Sequence, residues 1–238
     1  MSQELILLLI TAATLGFVHT LAGPDHYLPF IVISKAKKWS PGKTAWITFL
    51  CGLGHVCSSI LIGTVGIAFG IAILKVTAFE SIRDNVAGWM LFGFGLAYFV
   101  YGLQKSWKRR PHVHEHLHDD GEIHKHTHTH EEEHAHVHIR PGEEASITPW
   151  ILFSIFVFGP CKILIPLLMY PAAEASVHAT ILVALVFSLA TVGTMMTIVM
   201  LGTYGFRSVH LPLLERNVEA VAGFSIMLCG AAIQFLGL

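Results

Sequence analysis

The stretch GFVHTLAGPDHYLPF (residues 16–30) places two histidines, an aspartate and a Gly-Pro pair inside an apolar run that covers roughly residues 5–33. As one straight helix this run would measure about 43 Å at about 1.5 Å per residue, against a bilayer core of about 30 Å. Pro24 lacks an amide hydrogen and clashes with the preceding helical turn. We therefore expect the first membrane helix to break at Gly23-Pro24 and to free backbone carbonyls there.

The composition is typical of an integral membrane protein. Of 238 residues, 53% are apolar and 13% are charged, and the mean hydropathy is +0.62. Six apolar runs are long enough to span a bilayer, at roughly 5–33, 44–74, 85–104, 149–171, 177–203 and 218–238. The first run is too long for a signal peptide and has no Lys or Arg before it, so we interpret it as a retained helix. All four cysteines lie inside the apolar runs, which does not favour a disulfide scaffold.

The two halves of the chain repeat one pattern. VAGWMLFGFGLAYFVYGL (86–103) matches VAGFSIMLCGAAIQFLGL (221–238), and GPDHYLPF (23–30) faces GPCKILIP (159–166). Because each copy has three spans, the second must insert upside down, which predicts an all-α membrane fold of six helices as a 3+3 inverted repeat. We expect the first repeat at 1–106, a histidine-rich loop at 107–147 and the second repeat at 148–238. In such folds the substrate site lies at matched helix breaks, here Gly23-Pro24 and Gly159-Pro160.

Basic residues are distributed unevenly between the predicted connections. One side carries Lys75 and Arg83, whereas the other carries twelve Lys and Arg residues, among them Lys35 and Lys105. By the positive-inside rule, we expect both termini outside and the central loop in the cytoplasm of a bacterial or archaeal inner membrane.

Ionisable groups gather at the first break. His19 and His26 are two helical turns apart, and a break at 23–24 swings Asp25 and His26 towards His19; either geometry gathers imidazoles and a carboxylate. An aspartate at the bilayer centre costs about 3 kcal/mol, which is tolerated for a partner or a function. These donors suit nickel, cobalt or zinc, and His55 is a third candidate imidazole. Two structural alternatives stay open: His55 bonds a backbone carbonyl, or Asp25 pairs with Lys162.

At these residues the sequence resembles the nickel/cobalt transporter group: the NicO-type efflux proteins, the UreH-like membrane proteins and, more distantly, the NiCoT permeases, within the LysE-like transporters. HTLAGPDH is similar to that group's His, four residues, Asp-His pattern but has five intervening residues, and GLGHVCSSILIG resembles its second histidine-bearing helix. The resemblance implies a metal site of His19, Asp25, His26 and His55. Candidates for a gate or an additional site are Cys51, Cys161, Lys162 and Thr194.

The central loop contains eleven of the sixteen histidines, interspersed with acids. It has no apolar set with which to build a core, so we expect disorder without metal. Because neutral imidazoles bind metal, we interpret the loop as a cytoplasmic metal collector. The collecting residues are His112, His114, His116, His118, His124, His126, His128, His130, His134, His136 and His138.

We therefore predict a secondary transporter that exports a divalent transition metal, nickel or cobalt first and zinc next. It is not an enzyme, has no permanent cofactor, and has the metal ion and the lipid bilayer, not nucleic acid, as partners. A homo-oligomer or a metallochaperone partner stays open. The alternatives are a metal importer with the same site, a LysE-like exporter of an organic solute, and a CcdA-like thiol electron transporter. The last class carries cysteines at paired positions, whereas here Cys161 faces Asp25 across the repeat.

Overall fold

The computed structural model describes residues 2–71, 73–108, 112–117, 123–128, 147–159, 161, 163–173, 176–208 and 217–236. Within these ranges eight α-helices occur: α1 (Gln3–Ala22), α2 (Leu28–Ala36), α3 (Pro41–Ala68), α4 (Ile73–Lys108), α5 (Thr148–Phe158), α6 (Leu164–Ala173), α7 (Val177–Ser208) and α8 (Val218–Leu236). Five of them, α1, α3, α4, α7 and α8, are long and apolar enough to cross a membrane. The expectation of an all-helical, multi-pass bundle is thus confirmed at this coarse level.

The first apolar run is divided where the Gly-Pro pair predicts. α1 ends at Ala22, and its next residue, Gly23, donates its N–H to the carbonyl of His19 at 3.1 Å. A short 3₁₀ turn (Pro24–His26) follows, and α2 begins at Leu28. Proline fits the first position of such a turn because it has no amide hydrogen to satisfy.

The fourth apolar run is also divided, into α5 and α6. Gly159 donates its N–H to the carbonyl of Ile155 at 2.8 Å and ends α5. α5 is too short to qualify as a span by itself. Both divided runs therefore place non-helical backbone inside the bundle, which is tolerated where neighbouring protein groups satisfy it.

One boundary differs from the prediction. The predicted spans 44–74 and 85–104 leave residues 75–84 as a connection, but α4 begins at Ile73 and continues through this segment. Glu80 and Arg83 are both buried, and they form an ion pair one turn apart on α4. Charged residues between two apolar runs usually predict a loop. Here the i,i+3 spacing lets Glu80 and Arg83 pair on one face of a helix.

Helices α4 and α8, which carry the repeated VAG segments, pack closely against each other. A Cβ atom added at Gly95, Gly223 or Gly230 would overlap the backbone of the opposite helix. Glycine is required here because the two backbones approach to contact distance. Gly93 takes no part, since a Cβ there would meet no atom within 4 Å among the described residues.

The interior is organised around one face of α3. Thr44, Thr48, Cys51, His55 and Ser59 recur at helical spacing along this face, and all are buried. α3 contacts α5, α6 and α7, so this face lies between the two halves of the chain. A column of hydroxyl, thiol and imidazole groups thus runs through an otherwise apolar bundle.

Part of the histidine-rich segment, for which we predict disorder without metal, contains a pair of strands. β1 (His112–Leu117) and β2 (Ile123–His128) form an antiparallel pair in which His114 lies opposite His126. Alternation of histidine with other residues is compatible with the period of a strand, and backbone pairing does not require an apolar core. Five of the predicted collecting residues lie outside the described part of the chain: His118, His130, His134, His136 and His138.

Candidate functional site

Three predicted site histidines meet in the interior, at the first helix break. The ring centroids of His19 and His26 are 4.7 Å apart, and those of His26 and His55 are 5.0 Å apart. One ring nitrogen from each of the three lies within 4.8 Å of the others. We refer to His19, His26 and His55 as the histidine triad.

The break itself orients His26. Its Nδ1 lies 3.2 Å from both the carbonyl oxygen of Gly23 and Oδ1 of Asp25. Because both neighbours are acceptors, Nδ1 carries the hydrogen and donates it, and Nε2 keeps its lone pair. Gly23 leaves room for this arrangement, since a Cβ there would lie 2.6 Å from Nδ1 of His26.

His55 is oriented in a similar way from the other half of the chain. Its ring hydrogen-bonds to the backbone of Phe156 near the end of α5. The structural alternative from the sequence, an imidazole bonded to a carbonyl, is therefore present. It uses one nitrogen only. The Nε2 atoms of His26 and His55 are buried and have no hydrogen-bond partner among the residues that the structure describes.

This arrangement has the chemistry of a metal-ligand set. A ligating histidine normally donates its other ring N–H to a carboxylate or carbonyl, which fixes the tautomer. Asp25 and the Phe156 carbonyl take those roles for His26 and His55, so Asp25 orients a histidine here and is not among the three clustered groups. Three imidazoles suit a first-row divalent ion, with further positions left for water.

A cavity of about 40 Å³ adjoins the triad. Its lining includes Asp25, His26, His55 and Phe156, together with Asp84 of α4. This volume admits roughly three water molecules. The second carboxylate makes the cavity suitable for a cation or for ordered water beside the imidazoles.

The other predicted residues lie elsewhere. Cys51 is buried one turn before His55, whereas Thr194 lines a separate groove on α7 with Phe17 and Leu21 of α1. Cys161 is fully buried after α5, and its N–H donates to Oγ of Ser59 at 2.9 Å. The proposed pairing of Asp25 with Lys162 falls on a residue outside the described part of the chain.

Sequence reasoning missed a polar network beside Cys161. Arg83 donates to the carbonyl of Val157 at 2.7 Å and to Oγ of Ser58 at 3.0 Å, in addition to its ion pair with Glu80. The adjacent serines Ser58 and Ser59 on an apolar helix were the available signal. Because Glu80 and Arg83 were assigned to a loop, their place opposite those serines was not recognised.

Comparison with known proteins identifies the family. The family described as "cytochrome C biogenesis protein transmembrane region" matches residues 27–232, while no curated protein and no solved structure matches the chain. The assignment to the nickel/cobalt transporter group was therefore wrong; it depended on a short histidine pattern, whereas this match spans both halves. The match points to CcdA-like thiol electron transport, the last alternative from the sequence, better than to metal transport. This multi-pass membrane protein belongs to the cytochrome c biogenesis transmembrane-region family.

Proposed function

We propose that the protein transfers electrons across the membrane by thiol–disulfide exchange. The observation that carries this proposal is the family match over residues 27–232, which includes the first break, α3 and the second break. Among the four cysteines, Cys161 has the position best suited to thiol exchange. It lies between α5 and α6, at the position of the second half that corresponds to Asp25 in the first.

The transport architecture in this proposal is six spans in a 3+3 inverted repeat, with α1–α2 and α5–α6 as the divided helices. The helix contacts support it. α1 contacts α7, and its counterpart α5 contacts α3, the counterpart of α7. In the same way, α2 contacts α8, and its counterpart α6 contacts α4. A pseudo-twofold axis would exchange the members of each pair. Alternating access would then expose Cys161 to each side of the membrane in turn.

The exchange needs partner thiols because Cys161 forms no disulfide with either cysteine of α3, the buried Cys51 or the exposed Cys57. Ser59, which binds the Cys161 N–H, is eight residues from Cys51, or about 12 Å along the helix axis. A disulfide requires Cα atoms within about 7 Å. The structure contains all four cysteines as free thiols. Cys161 therefore exchanges with thiols that are supplied from either side.

The proposed steps balance for one catalytic thiol. The Cys161 thiolate attacks an external disulfide, forming a mixed disulfide and releasing one partner thiolate. A thiolate of a cytoplasmic dithiol protein then attacks the Cys161 sulfur and releases the second partner thiolate. Its other thiol closes an intramolecular disulfide and returns Cys161 as thiolate. Two electrons pass from the dithiol to the external disulfide, whose two thiolates take up the two protons that the dithiol loses.

Reconstituted vesicles test this function. Liposomes containing the protein enclose a reduced dithiol protein and face an impermeant disulfide reporter, and free thiol outside is measured with time. Cys161→Ser should reduce the rate to that of protein-free liposomes. Cys57→Ser is the matched control because Cys57 is exposed on α3, and it should keep the wild-type rate. An unchanged rate in Cys161→Ser refutes the proposal.

A second candidate function is favoured by the histidine triad: binding and transport of a divalent transition metal, with nickel, cobalt and zinc as the candidates. The unpartnered Nε2 atoms of His26 and His55 carry this candidate. In this form the loop histidines collect the ion at the cytoplasmic face for export. Import through the same triad is the reverse case.

Cellular metal content distinguishes this candidate. Cells that express the wild type and are challenged with nickel, cobalt or zinc should contain less of one metal by elemental mass spectrometry. His26→Ala should abolish the difference, whereas His178→Ala, which changes an exposed histidine near the start of α7, should not. Higher content indicates import, and unchanged content for every metal excludes transport of these ions.

A further inference from the structure

At the second helix break the helical hydrogen bond between Cys161 and Val157 is absent, and side chains replace both of its ends. In a continuous helix, the N–H of Cys161 would donate to the carbonyl of Val157, four residues earlier. Here the Cys161 N–H donates to Oγ of Ser59 at 2.9 Å, and the Val157 carbonyl accepts from Arg83 at 2.7 Å. α3 supplies one replacement and α4 the other. The break is thus stabilised by groups outside its own segment.

Arg83 connects three helices at this point. Its guanidinium pairs with Glu80 on α4 and donates to Oγ of Ser58 on α3 as well as to the end of α5. Ser58 in turn donates to the carbonyl of His55 at 2.9 Å. Only a planar guanidinium offers several donors in fixed directions, so lysine could not satisfy all of these acceptors together.

Burying the Glu80–Arg83 ion pair costs desolvation free energy, which a role in packing alone would not explain. Arg83 is 8% exposed and Glu80 is 2% exposed. A buried ion pair gives little net stability compared with apolar side chains of similar volume, and ionisable groups inside membrane spans usually mark a functional path. Oε2 of Glu80 is also buried and has no hydrogen-bond partner among the described residues. The pair therefore retains an unused acceptor within the bundle.

We propose that Arg83 is a positioning residue for Cys161: with Ser59, it keeps the α5–α6 break open and so keeps the thiol available for exchange. Glu80 is the counter-ion that fixes the Arg83 guanidinium. This inference rests on the proposed thiol function. Without Arg83, the Val157 carbonyl loses its side-chain donor, and the Cys161 N–H becomes the nearest backbone group that restores a helical bond. The thiol then moves with this N–H towards the end of α5.

Site-resolved alkylation tests the positioning role in the full-length protein in detergent. The protein is treated with N-ethylmaleimide, and the modification rate of each cysteine is followed by peptide mass spectrometry. Ser59→Ala, which removes one hydrogen bond, should lower the Cys161 rate about fivefold. Arg83→Gln, which removes the guanidinium from Val157, Ser58 and Glu80, should lower it by at least as much. Arg83→Lys, which keeps the charge but replaces the planar guanidinium with a single ammonium nitrogen, should give an intermediate rate. The rates of Cys51 and Cys229 should not change.

Lys105→Gln is the matched control because it removes a different ion pair of α4, with Glu219 of α8, remote in sequence from the break. It should leave the Cys161 rate at the wild-type value. If Arg83→Gln does not fold, Ser59→Ala alone decides. A Cys161 rate that is unchanged, increased, or altered in step with those of Cys51 and Cys229 overturns the inference.

The vesicle assay separates this failure from that of the proposed function. If Cys161→Ser transfers electrons at the wild-type rate, the thiol function fails, whatever the alkylation rates show. If Cys161→Ser is inactive while Arg83→Gln keeps both its transfer rate and its alkylation rate, only the positioning role fails.

Discussion

Gly23→Ala should weaken metal binding at the histidine triad without unfolding the protein. The added Cβ would lie 2.6 Å from Nδ1 of His26 and 2.8 Å from Oδ1 of Asp25, whereas ordinary contacts begin at 3.4 Å. The His26 ring must therefore move by about 0.8 Å. A metal site tolerates deviations of about 0.2 Å in its ligand distances, and loss of an orienting partner typically lowers metal affinity about 10- to 100-fold.

Isothermal titration of the purified protein with nickel, cobalt or zinc measures this effect. The eleven loop histidines are replaced by asparagine in every variant, so that the loop does not dominate the signal. Gly93→Ala is the matched control, since its Cβ meets no atom within 4 Å among the described residues. Gly23→Ala should bind at least about tenfold more weakly than Gly93→Ala. Equal affinities would refute the assignment of the orienting bonds at Gly23 and Asp25.

Three further predictions concern stability and metal stoichiometry. Gly223→Ala should destabilise the α4–α8 pair by roughly 1–3 kcal/mol, because its Cβ would overlap the backbone of Phe99, whereas Gly193→Ala should be neutral in thermal unfolding in detergent. Lys105→Gln should lower the unfolding temperature, because it leaves the buried carboxylate of Glu219 without its 2.5 Å ion-pair partner; an unchanged temperature would contradict this. Replacing the loop histidines by asparagine should reduce the number of ions bound in equilibrium dialysis but leave the tightest site intact, and an unchanged stoichiometry would refute a collecting role for the loop.

The first break and its histidines were predictable because their signals are local. Gly23 and Pro24 exclude a regular helix from their own positions, and a membrane requires a reason for each polar residue that follows. His55 could be placed beside them only as a candidate, since the contact joins α1 and α3. The hydrogen bond between the His55 ring and the Phe156 backbone could not be predicted from the sequence, because every residue type has a backbone carbonyl.

Glu80 and Arg83 show why charge alone misplaces an element. A cluster of charges between two apolar runs ordinarily indicates a loop, and it does so here until the neighbouring helices are known. The helix continues because Ser58 and the Val157 carbonyl, from α3 and α5, offer acceptors for the arginine. These partners are 25 and 74 residues away in the sequence. Tertiary contacts of this range override the local pattern.

The two helix breaks contact neighbouring positions of α3, and this relates the two candidate chemistries. His55 belongs to the triad at the first break, whereas Ser59, one helical turn later, binds the N–H of Cys161 at the second. The four residues from His55 to Ser59 rise about 6 Å along the axis. A rotation or shift of α3 would therefore act on the imidazoles and the thiol together.

This proximity makes single-site variants informative in both assays. If the two breaks act as one unit, His26→Ala should slow electron transfer in vesicles, although His26 carries no thiol, and Cys161→Ser should alter cellular metal content. If they act independently, each variant should affect only its own assay. Because Ser58 accepts from Arg83 and donates to the His55 carbonyl, Arg83→Gln is the variant that should uncouple the breaks while leaving both His26 and Cys161 in the chain.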